Sequence, residues 1–375
     1  MKHNRSDKLL SIGFVLTLLL LGLLTMAGGK REFSYLEKRY LTALPPLTLQ
    51  RVLNGSFAEQ FEEWAMDHLP GRDSLAGLAA MTDYAENLQV TKDIYLTQDR
   101  SLVERPAVFS QQVIDQNMEA INSFAGQSGH VDFALIPSAG YLLQERIAGL
   151  ADPYSDKEIV SSAYQIADAG HVSVIDLFPV FEGEDARKFF YKTDHHWTSR
   201  GAYEACAFYT SAKGRMLPAA DAYRVETADG FLGSCYSRAC LWSIPPETLE
   251  MWRSGAPFEV AFSDKERSYG DLFFQNHLDE GDKYQVFLDG NHPLVTVKNK
   301  SPGAEGKILV IRDSFSNCFG CFLADAYETV LMVDLRYYRK PIKELIETEC
   351  PDDILILYSV NNFMTDGNIG WLTDG

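Results

Sequence analysis

Hydrophobic positions along the chain change period several times, and each change predicts an element. From Leu9 to Ala27 the residues are almost continuously apolar and rich in leucine, long enough to cross a hydrocarbon core as one helix. After the break at Pro45-Pro46, Phe57, Phe61 and Trp64 recur as on an amphipathic helix, and Asp67-His68-Leu69-Pro70-Gly71-Arg72-Asp73 reads as a turn into another. Ile94-Tyr95-Leu96 and Ser101-Leu102-Val103 flank Thr97-Gln98-Asp99-Arg100, which predicts a small hairpin. Beyond residue 110, helix and strand alternate. Ile114, Met118, Ile121 and Ala125 keep helical spacing, and residues 131–136 form a strand stopped by Pro137. A helix around 159–167, a strand at 172–177 and a helical face of Ala202, Ala205, Cys206, Tyr209 and Ala212 follow.

Residues 215–305 interrupt this rhythm with Pro245-Pro246 and scattered aromatics. A turn at Asp289-Gly290-Asn291-His292-Pro293 separates predicted strands at 284–288 and 294–297, so the region reads as an insertion of short strands and loops. The alternation resumes with strands at 307–311, 330–333 and 354–358, the last preceded by a helix near 342–349. Short β runs separated by helices predict an α/β fold, a parallel sheet flanked by helices. The expected division is a signal peptide or membrane anchor at 1–29, an approach segment with the hairpin at 30–110, and an α/β domain at 111–375.

Charge narrows the partners. The formal net charge is -18 and no cationic run occurs outside the N-terminus, so nucleic acid is an improbable partner. Lys2, Arg5 and Lys8 precede the apolar run, and the positive-inside rule leaves the remainder outside the cytoplasm. An uncleaved anchor is expected, with cleavage near Thr25-Met26-Ala27 and secretion as the alternative. Of the six cysteines, Cys235 with Cys240 and Cys318 with Cys321 are close enough in sequence to interact, while Cys206 and Cys350 read as buried thiols. A lone Cys318-Phe-Gly-Cys321 lacks the second pair of a structural zinc site.

Functional groups in parallel α/β sheets gather past the carboxyl ends of strands. Three such ends carry chemistry here. Asp313-Ser314-Phe315 puts a hydroxyl at a strand-to-helix turn, where backbone amides can hold an oxyanion. Ser359-Val360-Asn361-Asn362 offers amide donors, and Asp194-His195-His196-Trp197 offers an acid and imidazoles. Ser314 is read as nucleophile, His196 as base and Asp194 as its orienting acid, with His195 structural or substrate-facing. Asn361 reads equally as an oxyanion donor or an Asx-turn, Trp197 as packed aromatic or sugar platform, and Arg336 as substrate contact or partner of an acid. No cofactor and no metal are expected.

These residues resemble the SGNH hydrolases. Residues 307–317 look like the first block of that superfamily, which carries its nucleophile, residues 351–363 like the third, and residues 194–205 like the last. The order is permuted, because the His block precedes the Ser block, as in the alginate O-acetyltransferase relatives. A closer resemblance is to the DHHW family, carried by Asp194-His195-His196-Trp197, residues 67–72, 233–237 and 290–293, Arg312-Asp313-Ser314 and residues 334–338. Two departures from the SGNH pattern are Arg312, where those hydrolases have Gly, and a spacing of two between Asp194 and His196 in place of three.

The resemblance implies a circularly permuted SGNH-like fold and O-acyl ester chemistry, acetyl transfer or esterase, on a cell-surface or extracellular polysaccharide. It also implies a membrane O-acyltransferase partner supplying acetyl groups outside the cell. Two other readings stand beside it: a metal-dependent hydrolase using Asp194, His195 and His196, and a catalytically silent glycan-binding or assembly protein.

Overall fold

A computed structural model describes residues 5–28, 31–34, 39–85, 90–91, 93–147, 150, 152–183 and 186–373. Lys2 of the basic flank and the expected boundary at residues 29–30 lie outside these. The chain divides into two compact units, residues 1–91 with 237–243, and residues 92–236 with 244–375.

The first unit opens with helix α1 (Arg5–Gly28). Its segment Lys8–Gly28 is, among the described residues, the one helix long and apolar enough to cross a membrane, and all its leucines but the half-buried Leu21 are exposed. That fits a signal anchor or a signal peptide. Helices α2 (Ser56–Asp67) and α3 (Arg72–Ala85) follow. Trp64 is buried and stacks on His68, whose Nδ1 lies 2.8 Å from the Trp64 carbonyl. Asp67 accepts from Thr42 N at 2.8 Å, so the predicted turn at 67–73 is pinned from its first residue.

The second unit is a seven-stranded sheet between helices. Helix α4 (Gln111–Ser128) is capped by Ser110 Oγ and buries Ile114, Met118, Ile121 and Ala125, the face marked by their spacing. It leads to β1 (Val131–Ile136), and α5 (Asp156–Gln165) leads to β2 (Val172–Asp176). Helix α6 (Ser199–Ala212) starts at Thr198, whose Oγ1 accepts from Gly201 N at 3.2 Å. The main sheet and its later helices are completed by β3 (Phe258–Phe262), β4 (Leu294–Asn299), β5 (Lys307–Arg312), α7 (Ser316–Ala326), β6 (Thr329–Val333), α8 (Ile342–Glu349), β7 (Asp353–Ser359) and α9 (Val360–Thr365). The sheet order is β3-β4-β6-β5-β7-β1-β2. β6, β5, β7, β1 and β2 are mutually parallel, and their middle members are buried on both faces, which is why they read as continuous apolar runs.

Within residues 215–305, β3 and β4 join the main sheet antiparallel, Leu294 opposite Val333 and Phe258 opposite Asn299. One expectation for this region needs correction. The strand expected at 284–288 is a 3-10 turn, Lys283–Val286, with only Phe287 bridging to Phe273. Leu288 and Asp289 take φ of 52° and 61°, which ends any extended run there. Cys350, expected to be buried, is an exposed thiol at the left-handed C-cap of α8, whereas Cys206, Cys318 and Cys321 are buried thiols.

Candidate active site

The three chemically marked chain segments converge at the carboxyl ends of β5 and β7. The Asp-His-His stretch arrives by a clamped approach. Glu247 accepts from Lys192 N and Thr193 N, each at 2.8 Å, and from Thr193 Oγ1 at 2.7 Å. Burial pushes the Glu247 carboxyl upward while those three donors pull it down. With Thr193 fixed, Asp194 turns inward and is almost completely buried.

Asp194 Oδ1 accepts from His196 N at 2.9 Å and lies 2.5 Å from His196 Nδ1. The pairing is made by an Asx-turn, in which the carboxylate caps the backbone two residues on. Asp194 Oδ2 takes Ser234 N at 2.6 Å. Gly233 makes that approach possible: a Cβ there would stand 2.2 Å from Asp194 Cβ.

His196 Nε2 lies 2.8 Å from Ser314 Oγ. With Nδ1–H donating to Asp194, Nε2 is left as acceptor for the Ser314 hydroxyl. Asp194, His196 and Ser314 therefore form an unbroken hydrogen-bonded chain. Burial first, then the neighbouring His195, holds His196 below the usual imidazole range, and Asp194 opposes that shift. The shift favours the neutral ring, which is the form that accepts a proton.

Ser314 sits in the turn between β5 and α7. Asp313 braces it: Oδ1 accepts from Phe315 N at 3.0 Å, and Oδ2 accepts from Ser359 N and Asn362 Nδ2, both at 2.8 Å. This ties the end of β5 to the end of β7. The amides of Phe315, Ser316 and Asn317 are spent on Asp313 Oδ1, Asp313 O and Ser314 O. Among the backbone amides expected to hold an oxyanion, the Ser314 N–H is therefore the one left for a ligand.

A cavity of about 220 Å³ adjoins the turn, walled by Leu102, Val103, Glu104, Ser138, Ala139, Gly140, His195, Phe315, Ser359, Asn361 and Asn362. A larger open groove of about 1020 Å³ runs past Phe109, Lys157, Phe178 and Pro179; the triad residues line neither space, and the smaller one takes in their chain neighbours His195 and Phe315. His195 faces the smaller cavity with Nδ1 2.5 Å from Ser234 Oγ. Asn361 donates from Nδ2 to Glu104 Oε2 at 3.0 Å, and its Oδ1 is buried without a hydrogen-bond partner. Trp197 has no face on the cavity. It is fully enclosed, donates to the Phe315 carbonyl at 3.0 Å and packs against Phe315 and Phe319. Arg336 lies bidentate on Asp334 at 2.9 and 2.7 Å and is not part of the cavity wall.

Asp194, His195 and His196 also form, among the described residues, the one group of metal-ligating side chains within 4.8 Å of one another. A cation there would have to take His196 Nδ1 from Asp194 or Nε2 from Ser314.

Residues 162–333, a span that includes the whole triad, match a family model described as DHHW protein. The chain is DHHW-like. Residues 81–228 of this DHHW-like protein also match a model described as SGNH hydrolase-like domain, acetyltransferase AlgX, so it is acetyltransferase-like across that region. A DHHW family protein from Eubacterium siraeum superposes with a TM-score of 0.66 at 18% identity, covering 75% of this chain and 95% of the other. Bacillus cereus PatB1 gives 0.61 at 22% identity, covering 73% and 97%, and its structure with a sulfonyl adduct gives 0.62 at 21%, covering 74% and 97%. These likenesses establish the SGNH-like fold. No curated protein matches the chain.

Several residues that build the site were missed in the sequence. Tyr284 stacks flat on His196, centroids 4.0 Å apart, but in sequence it looked like one strand aromatic among many. Ser234 supplies the donor on the other oxygen of Asp194, and in sequence it stands out only as part of the run 233–237. Glu104 ends the small hairpin and meets Asn361 across a sequence separation of 257, so nothing local in the sequence marks it.

Proposed function

We propose that this protein is an exported serine acyl-transfer enzyme, an O-acetyltransferase or O-acetylesterase acting on a cell-surface or extracellular polysaccharide. The observation that carries the reading is the chain Asp194–His196–Ser314 beside a small cavity. Ser314 Oγ attacks the acyl carbonyl while its proton passes to His196 Nε2, and Asp194 stabilises the imidazolium that forms. The Ser314 N–H, with the second Nδ2 hydrogen of Asn361, stabilises the oxyanion. His196 then returns the proton to the leaving group. A sugar hydroxyl or water, deprotonated by His196, releases the acyl group and regenerates Ser314.

In this reading residues 111–375 carry the chemistry, and residues 30–110 lead to them from the membrane helix, the hairpin lending a cavity wall. A membrane O-acyltransferase presents the acetyl groups. The likeness to the acetyltransferase model and the N-terminal apolar helix support this assignment. The test is turnover of an aryl acetate with and without a sugar acceptor. Ser314→Ala should lose at least a hundred-fold in rate, on the order of oxyanion and nucleophile losses in such sites. Retained turnover in that variant would refute the acyl-serine route, and loss on chelation with recovery on adding a divalent cation would favour the metal reading at Asp194, His195 and His196.

A further inference from the structure

Asp194 and Ser314 hold the His196 imidazole from its edge, through its two nitrogens. His195 tilts against the ring, centroids 3.8 Å and planes 35° apart, and the ring stacked flat on it is Tyr284. Its phenol lies flat on the imidazole, centroids 4.0 Å apart and planes 6° apart, while Phe315 closes in at 4.9 Å and 56°. Tyr284 is 4% exposed, and its hydroxyl is buried with no hydrogen-bond partner. The site therefore uses the ring face and not the hydroxyl. Tyr191 and Phe287 meet the phenol edge-on at 6.4 and 5.0 Å and keep it from sliding.

The segment that delivers Tyr284 is anchored more firmly than a surface loop requires. The Asp289 carboxylate meets Lys265, His277 Nε2 at 2.7 Å and His292 Nε2 at 3.1 Å. The other nitrogens of those histidines lie 2.8 Å from Glu280 and Asp264. Phe274 N donates to Val286 O at 2.7 Å, and Leu288 N to Leu272 O at 3.0 Å. Asn291 Oδ1 then accepts from Arg312 Nη1 at 2.9 Å and Asn317 Nδ2 at 3.1 Å, residues on either side of Ser314. Tyr284 and the Ser314 turn are thereby referenced to one another through a common anchor.

We propose that Tyr284 is a positioning residue whose ring face holds the plane of His196 so that Nε2 stays directed at Ser314 Oγ. This rests on the acyl-transfer reading above. Tyr284 acts through His196 and takes no part in the chemistry itself. A base misaligned by about an ångström can lose on the order of a hundred-fold in rate.

The experiment compares wild type, Tyr284→Phe, Tyr284→Leu, Phe124→Leu and Ser314→Ala. It reads kcat and KM on an aryl acetate, melting temperature, and the rate at which an aryl sulfonyl fluoride labels Ser314. In that labelling Ser314 Oγ displaces fluoride from sulfur and its proton passes to His196. Tyr284→Phe should keep kcat within about two-fold. Tyr284→Leu should lower kcat and the labelling rate by roughly ten- to a hundred-fold with KM unchanged. Phe124→Leu, which loosens the buried core between α4 and the sheet and not the packing on His196, should lower the melting temperature but not kcat. Equal kcat losses in the two leucine variants, or an undiminished rate in Tyr284→Leu, would overturn the proposal. Turnover that survives Ser314→Ala refutes the acyl-serine reading instead, and the labelling rate still decides whether Tyr284 orients His196 toward Ser314.

Discussion

Gly233→Ala offers a sharp test of how the triad is held. The added methyl would stand 2.2 Å from Asp194 Cβ, 2.4 Å from Oδ2 and 2.6 Å from Cα. Ordinary contacts of this kind lie near 3.5–4.0 Å, so something must move by more than an ångström. Asp194 has little freedom to move, because Ser234 N fixes one oxygen at 2.6 Å and His196 engages the other through two nitrogens. Gly233 does not have a positive φ, so backbone strain adds nothing and the cost is steric. Overpacking of a buried site costs about 1–3 kcal/mol, which in a domain of this size lowers the melting temperature by roughly 2–10 °C. A shift of Asp194 by about an ångström tilts His196 and should reduce kcat on an aryl acetate on the order of a hundred-fold. Thermal melts and steady-state kinetics on the same preparation measure both. A variant with wild-type melting temperature and kcat within three-fold would refute the claim that Gly233 sets the Asp194 position.

Two further outcomes concern pH. Because burial and His195 hold His196 below 6.5, the acid limb of kcat/KM should have its midpoint below 6.5, and a midpoint at or above that value would contradict the assignment. The same shift is a stability statement: the unfolded chain takes up this proton near pH 6.5 and the folded chain only at lower pH. Stability is therefore present above 6.5 and lost as pH falls from there through the folded value, and His196→Gln should remove that component from a melting-temperature profile. Asp156 runs the opposite way. Burial pushes its carboxyl up to about 6 against hydrogen bonds from Ser138. The folded chain keeps a proton that the unfolded chain gives up from about pH 3.8, so this contribution is present below 3.8 and lost as pH rises through about 6. The shift corresponds to about 3 kcal/mol, and Asp156→Asn should flatten the melting-temperature profile between about pH 4 and 7.

What was legible in the sequence follows from which interactions are local. The buried parallel strands announce themselves because both faces are apolar, so residues 131–136 and 307–311 read correctly from composition alone. Helix α6 carried its cap and its buried face in consecutive residues. Asp194, His196 and Ser314 were nominated by residue type at strand ends, and the structure brings them into hydrogen-bonding contact. Residues 215–305 were harder to read because their strands pair across long separations and because Leu288 takes a positive φ that its residue type does not advertise. Tyr284 was invisible for the same reason, since its partner His196 lies in a different part of the chain. Arg336 and Trp197 were marked by type alone, and type does not say that Asp334 or a carbonyl is waiting for them.

The hydrogen bond between His196 and Ser314 closes a loop of 118 residues. Bringing such distant points together costs chain entropy of about 4 kcal/mol on a flexible-loop estimate, and the contact is worth far less than that by itself. It can form only after β5 has docked beside β6 and β7 and the sheet has met that cost collectively. During synthesis the acid and base emerge well before the nucleophile, so a nascent or truncated chain holds an inert dyad. Recovered esterase activity after refolding would thus be a late and stringent reporter that the whole sheet, and not merely its first strands, has assembled.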